Sequence, residues 1–215
     1  MLFRSDILGI DEAGRGSVLG PLVIAGVVID KRKEAILDNM GVKDSKKLTP
    51  QRREVLARKL KKMFVFDTVV YSAQDIDNLR AKGVNLNEIE RKGMQELIQK
   101  LDFDEAIVDA VDVKPQRFHD KLQRATGKHV KAEHKADDKY IEVSAASIIA
   151  KQTRDEAIAE INKCFEDVGG IGSGYPSDPT TKKFLSNYTY NEMPVFVRKS
   201  WSTVAKLKDV QTTLI

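Results

Sequence analysis

Residues 7–16 read ILGIDEAGRG and residues 19–29 read LGPLVIAGVVI, and these two stretches decide the fold. Both are apolar, rich in β-branched residues and bounded by glycine or proline, which predicts two buried strands. A carboxylate at the end of a buried strand is costly unless it has a partner, and a cation is a common partner for several acids together. The predicted connection between the strands holds two acids, two glycines and an arginine: Asp11, Glu12, Gly14, Arg15 and Gly16.

This connection predicts a site only under a geometric condition. Successive side chains of a strand point to opposite faces, so Asp11 and Glu12 can share a site only if the strand ends there and the backbone turns. Gly14 and Gly16 permit such a turn and allow a close approach of another backbone. Backbone N–H groups beside Arg15 would suit a phosphate or a sugar hydroxyl. On these residues alone, a glycine-rich hairpin with two solvated acids is the alternative.

Composition predicts one domain with a small appendage, located in the cytoplasm without contact to a membrane. The chain has 215 residues, 41% of them hydrophobic and 32% charged, as in soluble globular proteins. No apolar run approaches the ~18 residues of a membrane span, and no signal peptide precedes the first predicted strand. The single cysteine, Cys164, excludes an intramolecular disulfide and agrees with a reducing cytosol. A net charge of +4 is compatible with nucleic acid as a partner but does not require one.

Strands and helices are predicted to alternate along the chain, which favours an α/β domain with a central mixed sheet flanked by helices. A polar link is expected over residues 31–41. The further predicted strands cover residues 64–71, 106–109 and 129–132. The predicted helices cover residues 50–63, 74–80, 85–101, 115–127, 143–168 and 179–187, and a final segment covers residues 197–208.

Acids follow the predicted strands in three separate segments. They are Asp11 with Glu12, then Asp109, then either Asp137 or Asp138. The histidines lack zinc-site spacing, and a set made of carboxylates alone selects hard cations such as Mg²⁺ or Mn²⁺. Two such ions ~4 Å apart can activate a water and stabilise the leaving oxygen of a phosphodiester. No Walker-type loop and no serine nucleophile elbow is present.

Blocks spread over nearly the whole chain carry a family resemblance. The chain resembles ribonuclease HII, the type 2 ribonuclease H, in its archaeal form. The matching blocks are GIDEAGRG at residues 9–16 with Gly20-Pro21, DSKKL at 44–48, Val108-Asp109, HKAD at 134–137 with Lys139-Tyr140, VSAASIIAK at 143–151 with Arg154-Asp155, and GSGYPSD at 172–178.

The resemblance implies an RNase H-like fold, with a catalytic domain over residues 1–190 and a C-terminal helical extension and tail over residues 191–215. It implies hydrolysis of the RNA strand of RNA–DNA hybrids and cleavage 5′ to ribonucleotides embedded in duplex DNA, leaving 3′-hydroxyl and 5′-phosphate ends. Such an enzyme serves ribonucleotide and RNA-primer removal, acts as a monomer and uses one or two Mg²⁺ or Mn²⁺ ions. The implied catalytic and metal-binding acids are Asp11, Glu12, Asp109 and Asp137, so that Asp138 is a neighbour.

The resemblance also implies substrate contacts. Gly14-Arg15-Gly16 would contact the 2′-hydroxyl that distinguishes RNA from DNA, and Tyr175 would stack on the deoxyribose that follows the ribonucleotide. The alternative for Tyr175 is a loop tyrosine that caps the core. Ser45 and Lys46 would contact phosphates, or else belong to a solvated loop. Ser147 and Lys151, one helical turn apart, would contact substrate or merely pack.

Two other functions compete with this prediction. Ribonuclease HIII carries a substrate-binding domain before its catalytic core, whereas only ten residues precede Asp11 here. A catalytically silent hybrid-binding module is disfavoured because all four acids are present. Separately, residues 210–215 (VQTTLI) resemble the start of a sliding-clamp peptide without its aromatic pair, so a clamp partner competes with a frayed polar tail.

Overall fold

A single mixed β-sheet carries the predicted acids. In the computed structural model, which describes residues 5–206, five strands are ordered β3-β2-β1-β4-β5. β1 pairs antiparallel with β2 and parallel with β4, and β5 runs parallel to β4. The predicted α/β class with a mixed sheet is therefore confirmed. The strands are β1 (Asp6–Ala13), β2 (Leu22–Asp30), β3 (Val65–Tyr71), β4 (Glu105–Asp109) and β5 (Val130–Glu133).

Helices follow most of the predicted positions because their capping residues are present. Thr49 accepts the N–H of Arg52 at the start of α2, and Gly127 ends α5 with a φ of 67°. The helices are α1 (Glu34–Met40), α2 (Pro50–Met63), α3 (Ala73–Ala81), α4 (Leu86–Lys100), α5 (Pro115–Thr126), α6 (Ala136–Lys139), α7 (Ile141–Lys163) and α8 (Pro179–Ser186). Short 3₁₀ segments cover Lys31–Lys33, Val42–Lys47 and Glu166–Val168.

Three local predictions were wrong. β1 does not end at Asp11 but continues to Ala13, with Glu12 paired to Ile24, so Asp11 and Glu12 leave opposite faces of a regular strand. The predicted polar link over residues 31–41 is helical. The prediction missed α1 because its seven residues contain one buried leucine, which gives no recognisable apolar periodicity. The helix predicted over 143–168 ends at Lys163.

The chain forms two units. The first comprises residues up to Ala13, Val23–Val70 and Asn87–Gln152. In it, the first turn of α7 packs directly on β1: a Cβ added to Gly9 would lie 2.2 Å from the carbonyl carbon of Glu142. Strand, α2 and α7 side chains share one buried apolar cluster that fixes this helix on the sheet.

The second unit comprises Gly14–Leu22, Tyr71–Leu86 and the residues from Thr153 on. Its apolar cluster centres on Phe184, whose ring contacts those of Phe165 and Phe196 at 5.2 and 5.9 Å between centroids. The carboxylate of Asp77 accepts the N–H groups of Lys199 and Ser200 at 2.7 and 3.0 Å, which fixes the segment after 196. The predicted domain boundary between residues 190 and 191 stays a prediction.

None of the helices within residues 5–206 has both the length and the apolar character needed to cross a membrane.

Candidate active site

Two of the four predicted catalytic acids lie at the same end of neighbouring parallel strands. Asp11 is near the end of β1 and Asp109 is the last residue of β4. The two strands are in register with Ile10 level with Val108. The next residues along each strand are Asp11 and Asp109, so the register brings these two carboxylates to one face of the sheet.

The carboxylate of Asp109 organises the segment that carries a third acid. Its Oδ1 accepts the N–H of Ala136 at 2.9 Å, and the N–H of Lys135 also binds this carboxylate. Lys135 has a φ of 54° and is the one non-glycine residue in the left-handed region within residues 5–206. That conformation costs about 1–2 kcal/mol. It places Asp137 in the first turn of α6, next to Asp109.

Asp11 is the acid whose pKa is raised by the charges of the other three. Its side chain is buried, and its Oδ1 accepts the N–H of Glu12 at 2.8 Å. Burial raises the pKa of Asp11 well above its usual range, and the charges of Glu12, Asp109 and Asp137 raise it further. The other three predicted acids therefore raise the pKa of this one carboxylate, although Glu12 leaves the other face of the strand. Burial also raises the pKa of Asp109, and the two N–H groups at the start of α6 oppose that rise.

Lys46 is the cation that contacts these acids. Its Nζ lies 3.0 Å from Asp137 and 2.6 Å from Asp138. The hydrogen bond that Lys46 donates to Asp138 is the largest of the effects that raise the pKa of Lys46. The charge of Asp137 contributes to the raised pKa of both Asp11 and Asp109, whereas Asp138 is not among the leading causes of either shift.

The donor set fits a hard divalent cation by its chemistry. Carboxylate oxygens are the ligands that Mg²⁺ and Mn²⁺ prefer, and mutual repulsion among buried carboxylates is relieved by a bound cation. Within residues 5–206, no three His, Cys, Asp or Glu side chains are already arranged as a metal site. Asp11, Glu12, Asp109 and Asp137 are the residues that would hold such a cation.

The loop over residues 14–16 belongs to the second unit, where its two glycines differ sharply. Gly14 has a φ of 86°, and an added Cβ would lie 2.5 Å from the carbonyl oxygen of Pro21 and 2.8 Å from Cδ of Arg154. Nothing lies within 4 Å of an added Cβ at Gly16, which is exposed. The fold therefore requires glycine at 14, whereas the open space at 16 leaves room for something outside the chain.

Two buried arginines support this loop. Arg198 donates from Nε to the carbonyl of Gly20 at 3.0 Å and from Nη1 to the carbonyl of Arg15 at 3.2 Å. Arg154 donates from Nη2 to the carbonyl of Ser173 at 2.7 Å, and its guanidinium lies 4.6 Å from the ring centroid of Tyr175. Tyr175 is half-buried on this cation rather than on the apolar core.

Buried positive charge accumulates at these two arginines. Burial and the charge of Arg154 together lower the pKa of Arg198 to about 9, so the Arg198 guanidinium stays cationic at neutral pH. Arg154 Nε and Arg198 Nη2 are buried without a hydrogen-bond partner in the structure. The carboxylate of Asp155 lies 3.5 Å from Nη1 of Arg154, so this guanidinium has an anionic neighbour.

The remaining predicted substrate residues are placed in the first unit. Ser45 is half-buried in the 3₁₀ segment, next to Lys46. The hydroxyl of Ser147 donates to the carbonyl of Ser144 at 2.8 Å within α7, and Lys151 is half-buried one turn later. Their proposed contacts with substrate stay predictions.

Sequence analysis did not assign structural roles to Lys135, Arg154 or Arg198. Arg154 stood in a matching block, but nothing in the sequence showed that it would lie between two glycine loops. Nothing in the sequence predicts the positive φ of Lys135, because glycine is the residue that usually adopts that conformation. Arg198 lies more than 180 positions from the loop that it holds, a separation across which spacing gives no information.

Comparisons with known proteins agree on one family. The family model described as Ribonuclease HII matches residues 8–204. A ribonuclease HII of Methanobrevibacter smithii is 68% identical over 206 residues, covering 96% of this chain and 100% of that protein. The ribonuclease H2 structure from Pyrococcus horikoshii has a TM-score of 0.86 and 40% identity, over 95% of this chain and 98% of its own. The ribonuclease HII solved in a complex with PCNA from Archaeoglobus fulgidus has a TM-score of 0.84 and 42% identity, and the match covers 92% of this chain and 95% of that chain.

Proposed function

Because the chain belongs to the ribonuclease HII family and is a ribonuclease H, we propose that it cleaves the RNA strand of RNA–DNA hybrids and cuts 5′ to single ribonucleotides embedded in duplex DNA. The proposed products are a 3′-hydroxyl and a 5′-phosphate. The enzyme would thereby serve ribonucleotide and RNA-primer removal.

One observation carries the proposed chemistry: Asp11 and Asp109 lie side by side on neighbouring parallel strands, and Asp109 accepts the N–H of Ala136 beside Asp137. Together with Glu12, these acids would hold one or two Mg²⁺ or Mn²⁺ ions. When bound, such ions supply charge stabilisation at the phosphodiester and lower the pKa of an attacking water.

The chain's own residues have defined tasks in this proposal. Asp109 fixes Asp137 through the N–H groups at the start of α6, so the two acids keep one spacing. Lys46 neutralises Asp137 and Asp138, and its exposed ammonium is proposed to contact a substrate phosphate. Ser45 beside it is proposed as a second phosphate contact, and Ser147 and Lys151 as further contacts on α7.

Selectivity for RNA is assigned to the loop over residues 14–16. The 2′-hydroxyl both donates and accepts hydrogen bonds, which suits exposed backbone groups. Arg198 holds the carbonyl of Arg15, and Gly16 leaves the space open. Tyr175, supported by Arg154, would stack on the sugar that follows the ribonucleotide.

The decisive experiment uses a DNA duplex with one ribonucleotide, a matched all-DNA duplex and a long hybrid, each with Mg²⁺ or Mn²⁺. We expect a cut 5′ to the ribonucleotide, abolished by a chelator and by Asp109→Asn, and no cut of the all-DNA duplex. Asp102→Asn, the same chemical change at an exposed aspartate, serves as the matched control. Near-normal Mg²⁺-dependent activity of Asp109→Asn would show that the site is wrongly assigned.

The experiment also separates the competing functions. Cleavage of long hybrids alone would leave the acids in place but remove the roles proposed for Gly14, Arg15, Gly16 and Tyr175. Binding without any cleavage would favour the catalytically silent hybrid-binding module.

A partner is proposed for the C-terminal tail, which lies outside the described residues. The tail begins like a clamp-binding peptide, and a 42% identical ribonuclease HII has been solved in complex with PCNA. We expect deletion of residues 210–215 to weaken binding to an archaeal PCNA while cleavage of a short duplex persists. Unchanged affinity would contradict a clamp contact through this tail.

A further inference from the structure

The whole net positive charge of the chain can be traced to one helix. The chain has a net charge of +4, whereas α2 alone holds six basic residues and one acidic residue. Outside α2 the chain is therefore slightly acidic. A charge so concentrated indicates a local partner rather than general solubility.

Three of these cations are exposed and form no ion pair within residues 5–206. Arg52, Lys59 and Lys62 form no salt bridge with a described residue, whereas Arg58 is paired with Glu54 at 2.6 Å. At 3.6 residues per turn, the three lie within a sector of about 80° on the helix. Along the axis they span about 15 Å, the length of four to five base pairs.

The helix is held rigidly in the unit that carries the acids. Leu56, Ala57 and Leu60 are buried in the apolar cluster beneath it. At its start, Arg52 Nη2 donates to the carbonyl of Met40 at 3.2 Å. The segment before it carries Lys46, whose ammonium contacts Asp137. The chain thus runs from the acids directly into the basic helix.

We infer that Arg52, Lys59 and Lys62, here called the α2 basic surface, form a second docking surface for the phosphate backbone of duplex nucleic acid. The inference rests on the proposed substrate. The surface contributes affinity without recognising the ribonucleotide, because charges on phosphates position a protein but carry no sequence information. It extends the footprint of the enzyme beyond the residues assigned to the ribonucleotide itself.

The test measures binding of an all-DNA duplex of 20 base pairs by fluorescence anisotropy, in EDTA, between 50 and 300 mM KCl. The variant carries Arg52→Gln, Lys59→Gln and Lys62→Gln, since glutamine keeps the helix propensity. The matched control carries Lys92→Gln, Lys121→Gln and Arg124→Gln, which removes one arginine and two lysines that are equally exposed and equally free of salt bridges. A third variant, with Arg52→Lys, Lys59→Arg and Lys62→Arg, keeps the charge.

We expect the α2 glutamine variant to bind at least about tenfold more weakly at 50 mM KCl. The slope of log K against log salt should become shallower by about 2 to 3, since each phosphate contact contributes about 0.9. The control and the charge-keeping variant should stay near wild type. Equal slopes for the α2 variant and the control would overturn the inference, as would a loss of binding to single-stranded RNA or anionic vesicles with duplex binding intact.

A parallel assay separates this inference from the proposed function. In single-turnover cleavage of the single-ribonucleotide duplex, the α2 variant should need at least about tenfold more enzyme than the Lys92/Lys121/Arg124 control to reach its half-maximal rate. If the wild-type protein binds duplex through α2 but cuts no ribonucleotide, the surface stands and the proposed function falls. If it cuts and the α2 variant binds like the control, the proposed function stands and the surface falls.

Discussion

Alanine substitutions at Gly14 and Gly16, made one at a time, should separate an effect on stability from an effect on cleavage. In Gly14→Ala, a new methyl meets the carbonyl oxygen of Pro21 at 2.5 Å, and a backbone atom cannot move aside cheaply. The φ of 86° adds a further cost, since an L-residue there loses about 1–2 kcal/mol. Together with about 1–3 kcal/mol for overpacking, we expect a loss of about 3 kcal/mol in the free energy of unfolding.

Gly16→Ala is the matched control for stability. Nothing lies within 4 Å of its new methyl, and its φ is not positive, so its stability should stay within about 0.5 kcal/mol of wild type. The same methyl occupies the space proposed for the sugar. We therefore expect cleavage at a single ribonucleotide to fall at least about tenfold.

The assay combines thermal unfolding with cleavage of the single-ribonucleotide duplex. A loss of about 3 kcal/mol lowers Tm by about 6–12 °C for a chain of this size. If Gly14→Ala unfolded within a degree of wild type, the close approach at Pro21 would be refuted. If Gly16→Ala cleaved at the wild-type rate, the assignment of that space to the substrate would be refuted.

Three other perturbations have expected outcomes. Asp11→Asn should abolish cleavage yet raise Tm in metal-free buffer, because it removes a buried charge repelled by neighbouring acids; a lowered Tm would contradict this reasoning. Asp77→Ala should cost about 1–3 kcal/mol in chemical denaturation, because two backbone N–H groups lose their acceptor; an unchanged midpoint would contradict that. The ammonium of Lys139 and its neighbours hold the pKa of Glu133 at about 2, below its unfolded value, so this stabilisation is present above pH ~4.5 and is lost as the pH falls toward 2. Glu133→Gln should therefore lower stability at pH 7 by up to about 1 kcal/mol, less at pH 2.5, whereas equal losses at both would exclude an ionic origin.

Elements whose ends are set by their own residues could be predicted from the sequence. The boundaries of α5 followed from Pro115 and Gly127, and the position of Asp109 followed from an apolar run that ends in Asp. Where one segment depends on another, prediction failed. β1 continues past Asp11 because β2 offers it partners as far as Ala13, and α6 exists because Asp109 binds its first N–H groups.

The candidate active site, too, could be predicted only where local residues determine it. That Asp109 would stand at a strand end was predictable, but the contact between Asp137 and Lys46 depends on a 3₁₀ segment that was predicted as a loop. From residues alone, Asp137 and Asp138 were equivalent. Their difference arises from how the turn at Lys135 orients α6, and no periodicity encodes that turn.

The contact at Gly9 limits which sequences can adopt this fold. The backbone of α7 rests on the backbone of β1, two residues before Asp11, without any side chain between them. Neighbouring core positions can exchange one aliphatic residue for another and repack, but no compensating substitution can make room where both surfaces are main chain. In a saturation library selected only for folding, position 9 should accept a single amino acid, while Leu8 and Ile10 drift among hydrophobic residues. Core side chains near the acids can therefore vary in evolution, whereas the distance between β1 and α7 cannot.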